Sequence, residues 1–221
     1  MPKLCPKVIL EGTRLTGKTD LAFALSEHPR VTGPRKYRYH HPLISGEWCG
    51  FTNTPWGRGL INFEPGEQGR ALETYDAWLR ASELLPYYPW IIDRFHLSTL
   101  MWQREQHGAG EPARLAALEA GLRSIDDRLM RLGFRLILCV RREDSFEAAR
   151  RERLRVSGNP SQYDDLTVFA REQRRLLELA RWSRLPRLLL DVTDLTPEQR
   201  AERAADWLSR TGGLYACGVL R

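Results

Sequence analysis

The segment Gly12-Thr13-Arg14-Leu15-Thr16-Gly17-Lys18-Thr19 constrains this chain more than any other. It follows the short apolar run Val8-Ile9-Leu10, which reads as a buried strand, and precedes Asp20 to Ser26, which reads as a helix. A strand that ends in a glycine-bracketed turn and continues as a helix is an opening unit of α/β folds built on a parallel sheet.

The downstream pattern agrees. Leu72, Tyr75, Leu79 and Ser82 recur at helical spacing between Gln68 and Leu85, and Trp90-Ile91-Ile92 follows as a second core strand. Leu97 to Gln106 begins another helix, and Leu115, Leu118, Leu122, Ile125 and Leu129 form an apolar stripe on a long helix that stops at Gly133. Phe134 to Val140 is nearly continuous in apolar residues, the pattern of a strand covered on both faces. Asp144 or Ser145 is expected to cap the next helix, and Asp164 to Arg184 is helical again. Leu188-Leu189-Leu190 is the last predicted strand, and Thr196-Pro197-Glu198-Gln199 is a capping box that opens a terminal helix to Arg210. Strands alternating with helices predict a parallel sheet with helices on both faces, and 221 residues suit a single domain, 1–221.

The opening segment matches G-x-x-x-x-G-K-[ST], the Walker A phosphate-binding pattern, in full, and in the strand-to-helix context that its mechanism needs. Its glycines let main-chain amides wrap phosphates at a helix N-terminus. Lys18 can reach the β and γ oxygens, and the Thr19 hydroxyl can hold Mg²⁺. Gly12 to Thr19 is therefore the predicted ATP site. Asp93-Arg94 stands at the C-terminal end of a core strand, the edge where open parallel sheets bind ligands. Asp93 could hold hydrated Mg²⁺ or orient the acceptor, and Arg94 could clamp a phosphate. Arg150, Arg151 and Arg153 crowd one helix beside a Gly/Asn/Pro loop and predict an arginine-rich lid over about 148–163, since closing guanidiniums stabilise the charge of phosphoryl transfer. Glu64 follows Leu60-Ile61-Asn62-Phe63, read as a short strand, and is the predicted acceptor of the substrate's proton; read as a turn carboxylate, it would carry no role.

The net charge is +6, and Lys occurs only at positions 3, 7, 18 and 36, so nearly all 34 basic residues are Arg, a side chain suited to phosphate oxygens. The four cysteines are far apart and show no zinc spacing, and no stretch approaches the length of a membrane span, which together predict a reduced, cytoplasmic protein with no membrane partner. Between Pro29 and about Asn62 periodicity vanishes and aromatics, Gly, Pro and His dominate, as expected of an acceptor-side insertion over about 30–62.

These motifs, in this order, resemble the thymidylate kinase and deoxynucleoside kinase group of P-loop kinases. The likeness rests on Glu11-Gly12 with Gly17-Lys18-Thr19, on Glu64-Pro65-Gly66, on Asp93-Arg94-Phe95 with Ser98, and on the lid arginines. Phe134 through Phe169, Leu190-Asp191 and Leu208 extend it over most of the chain. The resemblance implies a P-loop NTPase fold with about five parallel strands, ATP with Mg²⁺, and a nucleoside or nucleotide acceptor. Phe63 and Arg14 depart from the thymidylate kinases, which carry an arginine and often an acid there, and residues 30–62 resemble neither family. Acceptor specificity is expected in that insertion. Its Arg35, Lys36 and Arg38 among aromatics leave open a kinase acting on a polynucleotide or a modified DNA base. Another small alcohol as acceptor, a nucleotide-hydrolysing switch and a homodimer are also left open.

Overall fold

A computed structural model describes residues 3–32, 43–45, 59–85, 90–107, 110–157 and 164–217. The elements are β1 (Lys3–Glu11), α1 (Lys18–Glu27), α2 (Pro29–Thr32), β2 (Leu43–Ser45), α3 (Gln68–Leu84), β3 (Trp90–Asp93) and α4 (His96–His107). There follow α5 (Pro112–Arg131), β4 (Arg135–Val140), α6 (Phe146–Ser157), α7 (Leu166–Trp182), β5 (Arg187–Asp191), α8 (Pro197–Arg210) and β6 (Leu214–Cys217). Five strands run parallel in the order β2-β3-β1-β4-β5, and β6 joins the start of β1 in antiparallel fashion.

The alternation of side chains along the strands explains why the strand sequences are apolar throughout. Ile9, Ile92, Leu136 and Leu138 fall in one cluster with Tyr75 and Leu79 of α3, Leu100 of α4, Leu122 of α5 and Leu176 of α7. Val8, Leu10, Ile91, Ile137 and Cys139 fall in the other, with Leu21 and Leu25 of α1 and Ala201, Ala204 and Leu208 of α8. Both faces of the sheet are thus covered, and each such Leu or Ile removed from water contributes roughly 1.5–3 kcal/mol. This is the predicted class: α/β, a parallel sheet between helical layers, the architecture of the P-loop NTPase fold. Among the described residues no helix is long and apolar enough to cross a membrane.

Three local readings need correction. Leu60 to Phe63 forms a turn rather than a strand. Leu60, Ile61 and Phe63 are apolar because they are buried beneath α4, and two of the turn's carbonyls are met by side chains: Thr99 donates to Leu60 O at 3.0 Å and Gln103 to Phe63 O at 2.7 Å. Glu64 therefore does not end a strand. It precedes a short 3-10 turn, Pro65–Glu67, in which the Glu64 amide donates to the Glu67 carboxylate at 2.8 Å. The edge strand comes instead from Leu43–Ser45, inside the region predicted to be aperiodic, and residues 33–42 and 46–58 of that insertion, with Arg35, Lys36 and Arg38, lie outside the described residues. Finally, neither Asp144 nor Ser145 caps α6, because a 3-10 turn over Glu143–Ser145 leads directly into it. The capping box at α8 forms as its sequence requires, with Gln199 N on Thr196 Oγ1 at 3.3 Å and Thr196 N on Gln199 Oε1 at 3.0 Å.

Candidate active site

The segment between β1 and α1 is shaped by contacts that only glycine allows at two positions. Gly12 has φ +148°, and a Cβ there would stand 2.6 Å from the carbonyl oxygen of Cys139 in β4. Gly17 has φ +65° at the N-cap of α1, and a Cβ there would meet Nη1 of Arg200 at 2.5 Å. Among the described residues, the non-glycine positions at positive φ are Leu15 (64°) and Arg94 (59°), and both belong to this region. Conformations of that kind persist where surrounding packing over-determines them, and they collect at ligand sites. Leu15 is held against the Phe146–Phe169 cluster with Leu154 and Leu166, which ties the loop to α6 and α7.

The loop's side chains brace its own main chain. Thr16 Oγ1 and Lys18 Nζ both donate to Thr13 O, at 2.7 and 2.8 Å, while Thr13 Oγ1 donates to the Glu172 carboxylate of α7 at 2.6 Å. Lys18 is nearly buried, so its ammonium lies along the loop rather than in solvent. Arg14 and Thr19 are exposed.

From the β3 side come Asp93 and Arg94. The Arg94 amide continues the sheet register onto Leu10 O at 2.9 Å, and its buried guanidinium faces Gly12 O at 3.4 Å and Glu172 at 3.8 Å. Arg94 is thereby part of the loop's support, not a surface salt bridge. Glu11 fixes the next turn: one carboxylate oxygen accepts from the amides of Phe95 and Ser98, at 3.0 and 3.2 Å, and the other from the Ser98 hydroxyl. Asp93 is 5% exposed; its Oδ2 accepts from Thr19 Oγ1 at 2.6 Å, and its Oδ1 is buried with no hydrogen-bond partner. An ionised oxygen left bare costs several kcal/mol unless a ligand meets it, so Asp93 and Thr19 fit a hard cation. Among the described residues no group of three or more His, Cys, Asp or Glu could enclose a metal. One carboxylate and one hydroxyl, completed by substrate phosphates and water, is the manner in which Mg²⁺ is held.

Cys139 lies beneath the loop, where burial pushes its thiol up to about 12 despite the nearby Lys18 and Arg200 cations; it packs and does not act as a nucleophile. Of the lid arginines, Arg150 is half-buried on α6, 3.5 Å from Glu147 and 3.7 Å from Asp164, whereas Arg151 and Arg153 occupy the helix's exposed surface. Residues 158–163 of the predicted lid lie outside the described residues.

Three residues near the loop carried no sequence signal. Glu172 arrives from α7 through the fold alone. Arg141 follows β4 and donates through Nε to Leu15 O at 3.1 Å; Arg200, on α8, donates through Nη2 to Val192 O at 3.2 Å. Nothing local distinguishes them among so many arginines; only the pairing of β1, β4 and β5 brings them together.

No protein-family model matches the chain, and no curated protein is similar to it in sequence. Its structure is similar to that of the YorR protein from Bacillus subtilis, solved in complex with phosphorylated GDP (TM-score 0.56, 16% identity, 91% of this chain and 95% of that one). It is also similar to deoxyadenosine kinase from M. mycoides with bound dATP (TM-score 0.55, 12% identity, 92% and 99% covered). Thymidylate kinase from Candida albicans gives a TM-score of 0.54 at 16% identity, with 96% of each chain covered. At such identities the likeness is one of fold. The fold is shared with these structures, and in this chain a full Walker A sequence occupies the segment between the central strand and the first helix.

Proposed function

We propose that this chain is an ATP-dependent phosphotransferase that moves the γ-phosphoryl group onto a nucleoside or nucleotide. The observation that carries the reading is Asp93, fixed by Thr19 at the mouth of the loop with one carboxylate oxygen buried and unmet. The kinase names of the structural neighbours support the choice of reaction and of acceptor class.

In this reading the loop amides of Gly12 to Thr19 take the donor's phosphates, assisted by the positive end of α1. Lys18 exchanges its bond to Thr13 O for a phosphate oxygen, a short swing because the ammonium already lies in the loop. Glu172 keeps the loop open by holding Thr13 Oγ1, and Arg94 places a buried positive charge behind Gly12. Thr19 and Asp93 would hold Mg²⁺, which when bound neutralises charge on the phosphates. Glu64 takes the acceptor's proton, and Arg150, Arg151 and Arg153 close over the transferred group, with α6 coupled to the loop through Leu15 and Phe146.

The test is a transfer assay with ATP labelled at the γ-phosphate and a panel of nucleosides, nucleotides, oligonucleotides and small alcohols. Label is expected on a nucleoside or nucleotide with wild type and on nothing with Lys18→Ala. Release of inorganic phosphate alone, with no acceptor labelled, contradicts the reading.

A further inference from the structure

Cations approach the phosphate loop from both sides, and only one side is accounted for by Arg94 and Lys18. The other is the β4–β5 flank. The loops after these strands are tied together, with the Arg142 amide on Thr193 Oγ1 at 2.9 Å, Arg142 Nη1 on Asp194 at 2.6 Å and Val192 N on Val140 O at 2.9 Å. That tie sets Arg141 and Arg200 beside the loop.

Both arginines are fixed in place. Gln173 of α7 grips the main chain of Arg141 twice, accepting from its amide at 2.8 Å and donating to its carbonyl at 2.8 Å. The residue is 9% exposed, and the one hydrogen bond of its side chain, Nε to Leu15 O, leaves both terminal nitrogens of the guanidinium uncommitted. Arg200 lies so close to Gly17 that its Nη1 occupies the space a Cβ would fill. Its Nη2 reaches Val192 O, and its Nε is buried with no hydrogen-bond partner. No carboxylate lies within ion-pair distance of either guanidinium among the described residues. Burial, and then the charge of Arg200, draw the pKa of Arg141 down. Glu152, Asp191 and Asp194 oppose that shift from beyond ion-pair distance, so the two like charges packed against the loop are only partly compensated, and an anion seated there completes the compensation. A neutral base stacked there would leave the repulsion in place.

We propose that Arg141 and Arg200 form a second cationic arm of the site, on the β4–β5 flank, and bind the phosphate chain of the donor nucleotide. This rests on the reading of the loop as a nucleotide site and adds two binding residues to it. Arg141 acts on a phosphate oxygen from beside Leu15 and Arg200 from beside Gly17, while Lys18 and Arg94 act from the β3 side.

The test is calorimetric titration of wild type, Arg200→Gln and Arg141→Gln with ATP and, separately, with inorganic tripolyphosphate, alongside thermal melts of each ligand-free protein. Each substitution is expected to weaken both ligands by on the order of 10-fold or more. The ligand-free melts report separately what Arg200→Gln loses with its bond to Val192 O, so affinities are compared on folded protein. Arg200→Lys should recover part of the affinity. Unchanged affinities in folded Arg200→Gln overturn the proposal, as does weakening of ATP without weakening of tripolyphosphate. Failure of wild type itself to bind either ligand overturns the underlying nucleotide-site reading instead, and the same titration tells the two failures apart.

Discussion

Two buried aspartates separate what this chain uses for folding from what it holds ready for chemistry. Asp126, between α5 and the turn after α7, is filled at both oxygens. Oδ1 takes His96 Nε2 at 2.9 Å and Ser183 Oγ at 2.6 Å, and Oδ2 takes the Arg184 amide at 2.8 Å. Burial alone would raise its pKa, but the hydrogen bond and charge of His96, with Ser183 and the Arg184 amide, outweigh it and hold the carboxyl below its ordinary value. Asp93 is buried to a similar degree and has one partner, Thr19, with its other oxygen unmet. A carboxylate filled at both oxygens fixes a core, whereas one with a bare buried oxygen is a cost retained for a ligand.

The largest expected effect falls on that contrast. Asp93→Asn should lower turnover by on the order of 10²–10³, the scale of losing one charge-stabilising group, while its melting temperature holds or rises because a bare charge is gone. Steady-state kinetics with a thermal melt decides it, and unchanged turnover would put Asp93 among the structural carboxylates. Asp126→Asn should do the reverse, costing about 3 kcal/mol of stability through a broken buried pair while the folded fraction keeps its turnover. Denaturant titration reads that loss.

Acid sharpens the comparison further. Because the folded pKa of Asp126 is depressed, its contribution is complete above its unfolded value of about 3.9 and disappears as pH falls through the lower folded value. Unfolding free energy should drop over that window in wild type and less steeply in Asp126→Asn. A smaller effect, about 1 kcal/mol, is expected of Glu172→Gln, which keeps a bond to Thr13 but loses the charge facing Arg94; it should appear as a several-fold rise in KM for ATP. Smallest is Arg151→Ala on the exposed surface of α6, within about 0.5 kcal/mol of wild-type stability, with its effect confined to kcat.

The two aspartates also show how far the sequence reaches. Asp93 is legible because a carboxylate at the end of a core strand has a positional meaning, and the loop is legible because its chemistry is contiguous in sequence. Asp126 looks like any polar residue inside an amphipathic helix until Ser183 and His96 are brought to it from 57 and 30 residues away. Arg141, Arg200 and Glu172 are hidden for the same reason: their role comes from strand order and from α7 packing, not from neighbours in sequence. The turn at Leu60–Phe63 misleads in the opposite direction, since burial under α4 makes a non-strand as apolar as a strand. Strand β2, three residues long, is too short for its periodicity to show.

The most direct test is equilibrium binding of ATP to the folded wild type and to Lys18→Ala. Wild type should bind, and removal of the ammonium that lies along Thr13 O should weaken binding by about 100-fold or more without unfolding the chain. A folded wild type with no affinity for ATP, or a Lys18→Ala variant that binds it equally well, would contradict a phosphate-gripping loop at the mouth of β1.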